Sequence, residues 1–523
     1  MTLTRSVARP ARAVALGAAL AGCASAAPST STPAPAVTPR SERAALTATI
    51  DSFVNAPRFR NAHWGVLIVD PVAGDTLYSH NAGKLFLPAS NQKLLTGATA
   101  LAQLGPDYRY RTRFLARGPL RADGTLDGDL VVVSRGDPTV SDHMRGDATI
   151  PLRAVADSLA AHGVKRITGR IVRGGDAFPD SPLGYGWDWD DLPAAYGSGV
   201  DELMLNEGFT RVLVRGGAAA GAPVTIVGTA PARGYPAVTA TARTVVRAPG
   251  SSAHASVDGT WRTALTTGAA LGALEPQGVV VTGEIGAGDT ATVEVTYPDA
   301  GAAYLVALGE ALQARGIAVA RGADAATRVP DDSLAALTEL AHLDSPPLRE
   351  IMPALEKPSQ NQIAEALFKT LGLERTGVGS ADSARRVVER QLAAWGAPAD
   401  GYAVRDGSGL SRHDYVSPET IVHVLDAMRR DTSFTVLYSA LPIAGVDGTI
   451  ASRMRGTPAQ GNVHAKTGFV DKARSLSGYV TTADGRMLVF SFLCNNWTTP
   501  TSDVEHVQDA IAVRLASLHL GAR

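Results

Sequence analysis

Lysine is scarce in this chain. Of 523 residues only seven are lysine, Lys84, Lys93, Lys165, Lys357, Lys369, Lys466 and Lys472, and arginine supplies the other positive charges. Arginine keeps its proton in proteins, whereas a desolvated lysine can lose it and act as a base. Each lysine is therefore a candidate for a specific task, although most of the seven suit a solvated surface. Cysteine is scarcer still: Cys23 and Cys494 are the only two. Cys494 follows the apolar stretch 487–493 and reads as a buried small hydrophobe. Aromatics make up 6% of residues, so the cores are expected to be rich in Ala, Val and Leu. The net charge is -1, which leaves no basic excess to neutralise phosphates and excludes a nucleic-acid partner. The chain has no His-Glu-x-x-His and no clustered Cys/His pattern, so neither metal nor cofactor is expected. It has no Gly-x-Ser-x-Gly, which counts against an α/β-hydrolase.

Long apolar runs are also missing. The longest near the start, 13–21, is too short to span a bilayer and follows Arg5, Arg9 and Arg12. It is expected to be an export segment. Leu20-Ala21-Gly22-Cys23 is similar to a bacterial lipobox, which implies cleavage before Cys23 and a lipid on its sulfur, anchoring the protein to a membrane. An ordinary secretory cleavage near Ala26 is the alternative. Either way Cys494 keeps no partner, and the fold needs no disulfide despite an oxidising compartment. Residues 24–40 form a Pro/Ser/Thr/Ala tether without core-forming side chains.

Three segments follow. Residues 41–144 hold a helix starting near Ser41, a hairpin over 63–78 and a small-residue helix over 91–104. Residues 145–335 are Gly-, Ala- and Val-rich with strand-like runs, and read as inserted β-rich modules, probably two. Residues 336–523 return to helices at 347–355, 362–371 and 380–395. They end in strands over 463–470, 475–480 and 487–493 and an amphipathic helix marked by Val504, Val507, Ile511, Leu515 and Leu518.

Three short motifs carry chemistry. In Ser90-Asn91-Gln92-Lys93 the serine and lysine stand three apart, on one face of a helix. A serine hydroxyl attacks only when a base takes its proton, and a lysine of depressed pKa can. Lys93 is the only lysine with a serine at i−3. Ser359-Gln360-Asn361 precedes a helix; Ser79-His80-Asn81 has the same pattern but sits in the early hairpin and reads as a turn. Lys466-Thr467-Gly468 lies on a strand, where the glycine admits a close backbone approach. The amide N–H of Phe469 could join that of Ser90 in an oxyanion hole.

Together the three motifs resemble the Ser-x-x-Lys, Ser-x-Asn and Lys-Thr-Gly set of penicillin-binding proteins and class A β-lactamases. The 265 residues between Lys93 and Ser359 narrow the resemblance to the low-molecular-mass class C penicillin-binding proteins, the D-Ala-D-Ala carboxypeptidase/endopeptidase (S13 peptidase) family. Ser134-Arg135-Gly136-Asp137-Pro138-Thr139, residues 186–191, Asp406-Gly407-Ser408-Gly409-Leu410-Ser411-Arg412 and residues 441–449 are similar to that family too. The resemblance implies an α/β (α+β) penicillin-recognising serine transferase fold, an antiparallel sheet flanked by helices with β-rich insertions. It implies a Ser90 acyl-enzyme, Lys93 as base, Ser359 and Asn361 for proton relay and orientation, and Lys466 for positive potential. Thr467, Gly468 and Phe469 would meet the substrate, with Asp191 at the amine of its side chain. Phe469 departs from the small hydroxyl residue of many relatives. Peptidoglycan stem peptides are the implied substrates and β-lactam antibiotics the inhibitors. A β-lactamase or esterase on the same fold, or a non-catalytic peptidoglycan-binding lipoprotein, are the rivals. His464, Asp447 and Arg453 are expected to be structural.

Overall fold

The computed structural model describes residues 39–246, 255–265 and 274–521. Cys23 and nearly all of the expected tether lie outside the described residues.

Both halves of the chain contribute to one sheet. From the first half come β1 (His63–Asp70) and β2 (Asp75–His80), joined by a tight turn in which Gly74 adopts a positive φ. From the far end come β3 (His464–Val470), β4 (Ala473–Thr481) and β5 (Met487–Asn495). The order is β2-β1-β5-β4-β3, antiparallel throughout, with β3 on an edge.

The period of two along β5 explains how one sheet serves two cores. Leu488, Phe490, Phe492 and Cys494 join a core with Leu46 and Ile50 of helix α1 (Pro39–Val54) and with Ile511 and Leu515 of helix α6 (Thr501–Ala516). Val489 and Leu493 face the other side. They share a core with α2 (Gln92–Leu104), α3 (Leu348–Glu356), α4 (Asn361–Thr376) and α5 (Pro418–Arg429). Leu94 and Leu95 of α2 are fully buried there, each contributing about 1.5–3 kcal/mol. The expected antiparallel sheet flanked by helices is what the chain forms.

Between α2 and α3 the chain builds other layers. A five-stranded sheet runs in the order Ala323–Val329, Ile171–Gly174, Asp129–Val133, Arg111–Arg117, Thr338–Asp344. Helices Thr149–Ala161 and Ala300–Ala314 pack on it. Beyond it, Phe209–Arg215 pairs with Thr225–Ala230 and Thr290–Thr296, and Ala255–Leu265 pairs with Leu274–Gly286. This corrects the expected boundary at 144/145, because Arg111–Arg117 and Asp129–Val133 already belong to the second sheet. Its last strand, Thr338–Asp344, pairs back onto Arg111–Arg117 and carries the layer past residue 335. Pairing partners more than 220 residues apart close this layer, so local texture does not mark its edges.

Candidate active site

Ser90 stands on a strained turn. Ala89 holds φ at 47°, a left-handed conformation that costs an L-residue energy and persists where surroundings enforce it. Here the enforcement comes from the sheet. Asn495 Oδ1 accepts from Leu87 N (2.9 Å), Ser475 Oγ donates to Pro88 O (2.8 Å), and Asn91 Nδ2 donates to Lys466 O (2.9 Å). Strands β3, β4 and β5 thus each hold the turn that leads into α2.

Lys93, the second residue of that helix, has no exposed surface. Its Nζ donates to Ser90 Oγ (2.9 Å), Asn361 Oδ1 (2.6 Å) and Ser408 O (2.8 Å), so all three ammonium protons are used. Burial pushes its pKa down to about 8, against the attraction of Asp406, Glu356 and Glu365. Asn361 begins α4 and turns its Nδ2 to Tyr196 O (2.8 Å). Ser359, two residues earlier, also sits at positive φ (65°) and lines the cleft.

The loop that offers Ser408 O is braced from inside. Asp406 accepts from Gly409 N and Ser411 N (both 2.7 Å) and from the indole of Trp187 (2.9 Å). Glu365 accepts from Gly407 N (3.0 Å) and Ser408 N (2.7 Å). Asp406 and Glu365 thus hold the loop that presents Ser408 O to Lys93.

The outer edge of β3 forms the opposite wall. Ala465 N donates outward to Pro442 O (2.9 Å), so the N–H groups of Thr467 and Phe469 point off the same edge. Gly468 meets the Ser90 turn. A Cβ there would overlap Ser475 Oγ and lie 2.6 Å from Pro88 O and 2.9 Å from Ser90 N. Thr467 Oγ1 is 2.7 Å from Thr449 Oγ1. Phe469 is 56% exposed, with the Arg474 guanidinium 5.0 Å from its ring centre. The two are partners across β3 and β4, and Arg474 itself lines the cleft.

Asp191 lines the cleft of about 770 Å³ with Ser90, Ser359, Asn361, Thr467 and Phe469. Its carboxylate accepts from Tyr196 Oη (2.6 Å) and lies 3.4 Å from Arg412. His464 is buried, stacked on Tyr438 (3.9 Å between centroids), away from the cleft-lining residues. Asp447 pairs with Lys357 (2.7 Å) and Arg453 with Asp509 (2.7 Å).

The sequence pattern of the D-Ala-D-Ala carboxypeptidase 3 (S13) family matches residues 46–518. The chain belongs to that family. It is 36% identical over 478 residues to the D-alanyl-D-alanine carboxypeptidase of an Actinomadura species, covering 89% of this chain and 84% of that protein. It is 28% identical over 434 residues to the D-alanyl-D-alanine carboxypeptidase DacB of Haemophilus influenzae, covering 80% and 82%. The crystal structure of penicillin binding protein 4 from Haemophilus influenzae superposes with a TM-score of 0.73 at 23% identity, covering 90% of this chain and 99% of that one, which establishes the shared fold.

Within this S13 site one group went unseen in the motifs. Glu356, the last residue of α3, has no exposed surface, and neither carboxylate oxygen has a hydrogen-bond partner. It packs against Gly97, one turn beyond Lys93 on α2, where a Cβ would come within 2.9 Å of Oε1. Burial raises its pKa to about 7, against the pull of Lys466 and Lys93. Lys466 is equally buried; burial and the charge of Lys93 push it down to about 7, and Glu356 opposes them. Glu356 is thus the negative charge common to both lysines. In Glu356→Gln both amines should lose their protons at lower pH. With Lys93 as the base for acylation of Ser90, as the sequence motifs imply, the acid limb of acylation should then move acidward by on the order of one pH unit. Rates of labelling by a fluorescent penicillin across pH check this; a lower rate with an unmoved limb would reduce Glu356 to packing.

Proposed function

We propose that this S13 protein is a serine-type D-Ala-D-Ala carboxypeptidase and/or DD-endopeptidase acting on peptidoglycan stem peptides. The observation that carries the reading is Lys93 Nζ set between Ser90 Oγ and Asn361 Oδ1. At a pKa of about 8, roughly a tenth of Lys93 is neutral at pH 7. That form accepts the Ser90 proton as Oγ attacks the D-Ala carbonyl carbon. The oxyanion forms beside the N–H groups of Ser90 and Phe469. The C–N bond then breaks, and the leaving amine takes the proton from Lys93 with Ser359 as relay. Water attacks the ester, Lys93 accepts its proton, and the Ser90 C–O bond breaks with that proton returned to Oγ. Lys466 contributes positive potential from beneath the strand, Thr467 receives the terminal carboxylate, and Gly468 lets strand and turn touch. A β-lactam acylates the same oxygen.

Asp191, held by Tyr196 and Arg412, recognises the substrate's side-chain amine in this reading. The export segment and Cys23 support action outside the cytoplasmic membrane, with the sulfur of Cys23 lipidated. Intact-mass and peptide-mass spectra after penicillin treatment test the assignment. One penicilloyl adduct is expected on the peptide containing Ser90, with D-alanine released from a muropeptide pentapeptide in the untreated enzyme. An adduct elsewhere, or none, would sink it, and the same spectrum reports whether Cys23 begins the mature chain with a lipid.

A further inference from the structure

A second cavity, of about 800 Å³, opens behind the loop that walls the cleft. Loop residues 188–196 serve both spaces. Asp188, Asp191 and Tyr196 line the cleft, whereas Trp189, Leu192 and Pro193 line the cavity, and Asp190 borders both. The far wall is Trp261 and Tyr297, from the layers inserted between α2 and α3.

The lining mixes flat apolar faces with carboxylates. Trp189 is 83% exposed, although a large aromatic is normally covered. Trp261 is fixed by its indole N–H, which donates to Thr296 O (3.2 Å). Of the acids at this cavity, Asp201 and Asp299 are both spent on Arg173, leaving Asp190 without an ion pair among the described residues. An aromatic plane offers its face to C–H bonds, while a free carboxylate accepts hydrogen bonds. A pyranose ring supplies both complements, C–H bonds on its face and hydroxyl or amide N–H groups at its rim. The volume falls within the range of small-ligand sites.

We propose that this cavity binds the N-acetylated disaccharide of the glycan strand whose stem peptide enters the adjoining cleft. The choice of sugar rests on the acyl-transfer reading above. An extended stem peptide of four residues reaches at most about 14 Å from the acylated carbonyl, and Asp190 stands where the two spaces meet. The inserted layers thereby gain a task, holding the strand that carries the scissile bond.

Two measurements test this. Steady-state hydrolysis is compared for one pentapeptide with and without its disaccharide. The wild type should show a KM about tenfold lower with the sugar. Trp189→Ala and Trp189→Ala/Trp261→Ala should bring the two substrates within about twofold, leaving free-peptide hydrolysis and penicillin labelling unchanged. No preference in the wild type, or a preference kept in both variants, overturns the proposal. Should both substrates be inert and penicillin fail to label, the acyl-transfer reading itself has failed. Titration with the peptide-free disaccharide then decides separately: saturable quenching of tryptophan fluorescence, lost in Trp189→Ala, supports the cavity as a sugar site, and no quenching overturns it.

Discussion

Replacing Lys93 with methionine is expected to slow acylation of Ser90 by about 10²–10⁴-fold, the usual span for loss of a positioned base. Methionine fills nearly the same buried space but accepts no proton from Ser90 Oγ. Arginine would not rescue, because its guanidinium stays protonated. The structural side effects can be separated. Methionine strands two acceptors, Asn361 Oδ1 and Ser408 O, yet also removes a buried charge, and these changes oppose one another. The folded-state pKa of Lys93 lies below its unfolded value of 10.5. The native state therefore binds fewer protons between about 8 and 10.5, and its stability rises with pH across that window. Denaturant unfolding should show the wild type gaining on Lys93→Met over that range. Penicillin labelling of Lys93→Met at near wild-type rate would remove Lys93 from the mechanism.

Gly468→Ala is expected to be nearly as damaging, although the residue touches no reacting atom through a side chain. Its φ is not positive, so the backbone tolerates alanine and the harm comes from space alone. The new methyl would enter between β3 and the Ser90 turn, against Ser475 Oγ, Pro88 O and Ser90 N. Two of those contacts are backbone and cannot swing away. The Ser475–Pro88 hydrogen bond must stretch and Ser90 must shift, and a displacement near 1 Å costs on the order of 100-fold in rate. Overpacking should cost about 1–3 kcal/mol of stability. Second-order acylation rates and thermal unfolding on the same preparation check both. Wild-type acylation in a folded variant would show that the turn yields without moving the nucleophile.

Much of this site is legible in linear sequence because its parts are local. Ser90 and Lys93 are three apart on one helix, Ser359 and Asn361 flank one helix start, and Lys466 to Phe469 occupy one strand. Residues that reach the cleft by tertiary routes were missed. Arg474 arrives as the cross-strand partner of Phe469. Tyr196 comes from within the inserted segment, and its carbonyl holds the Asn361 amide. Glu356 looks like a surface acid at a helix end. A signal was present, however: Leu348, Met352 and Glu356 step by four along α3, which puts the acid on the apolar stripe. Gly97 on the facing helix is the matching gap. The inserted layers were harder, since Arg111–Arg117 is a strand whose pairing partner Thr338–Asp344 lies far along the chain.

The stitching of the Ser90 turn to β3, β4 and β5 has a consequence in time. Asn91 is 375 residues ahead of the carbonyl that holds it, and Leu87 is 408 ahead of Asn495. A ribosome adding about 5–20 residues per second covers the shorter interval in roughly 20–75 s. Throughout that period Ser90 exists without the strands that hold its turn. The strands that hold the turn are made long after it, so the Ser90 turn cannot take its held form until residue 495 has been added.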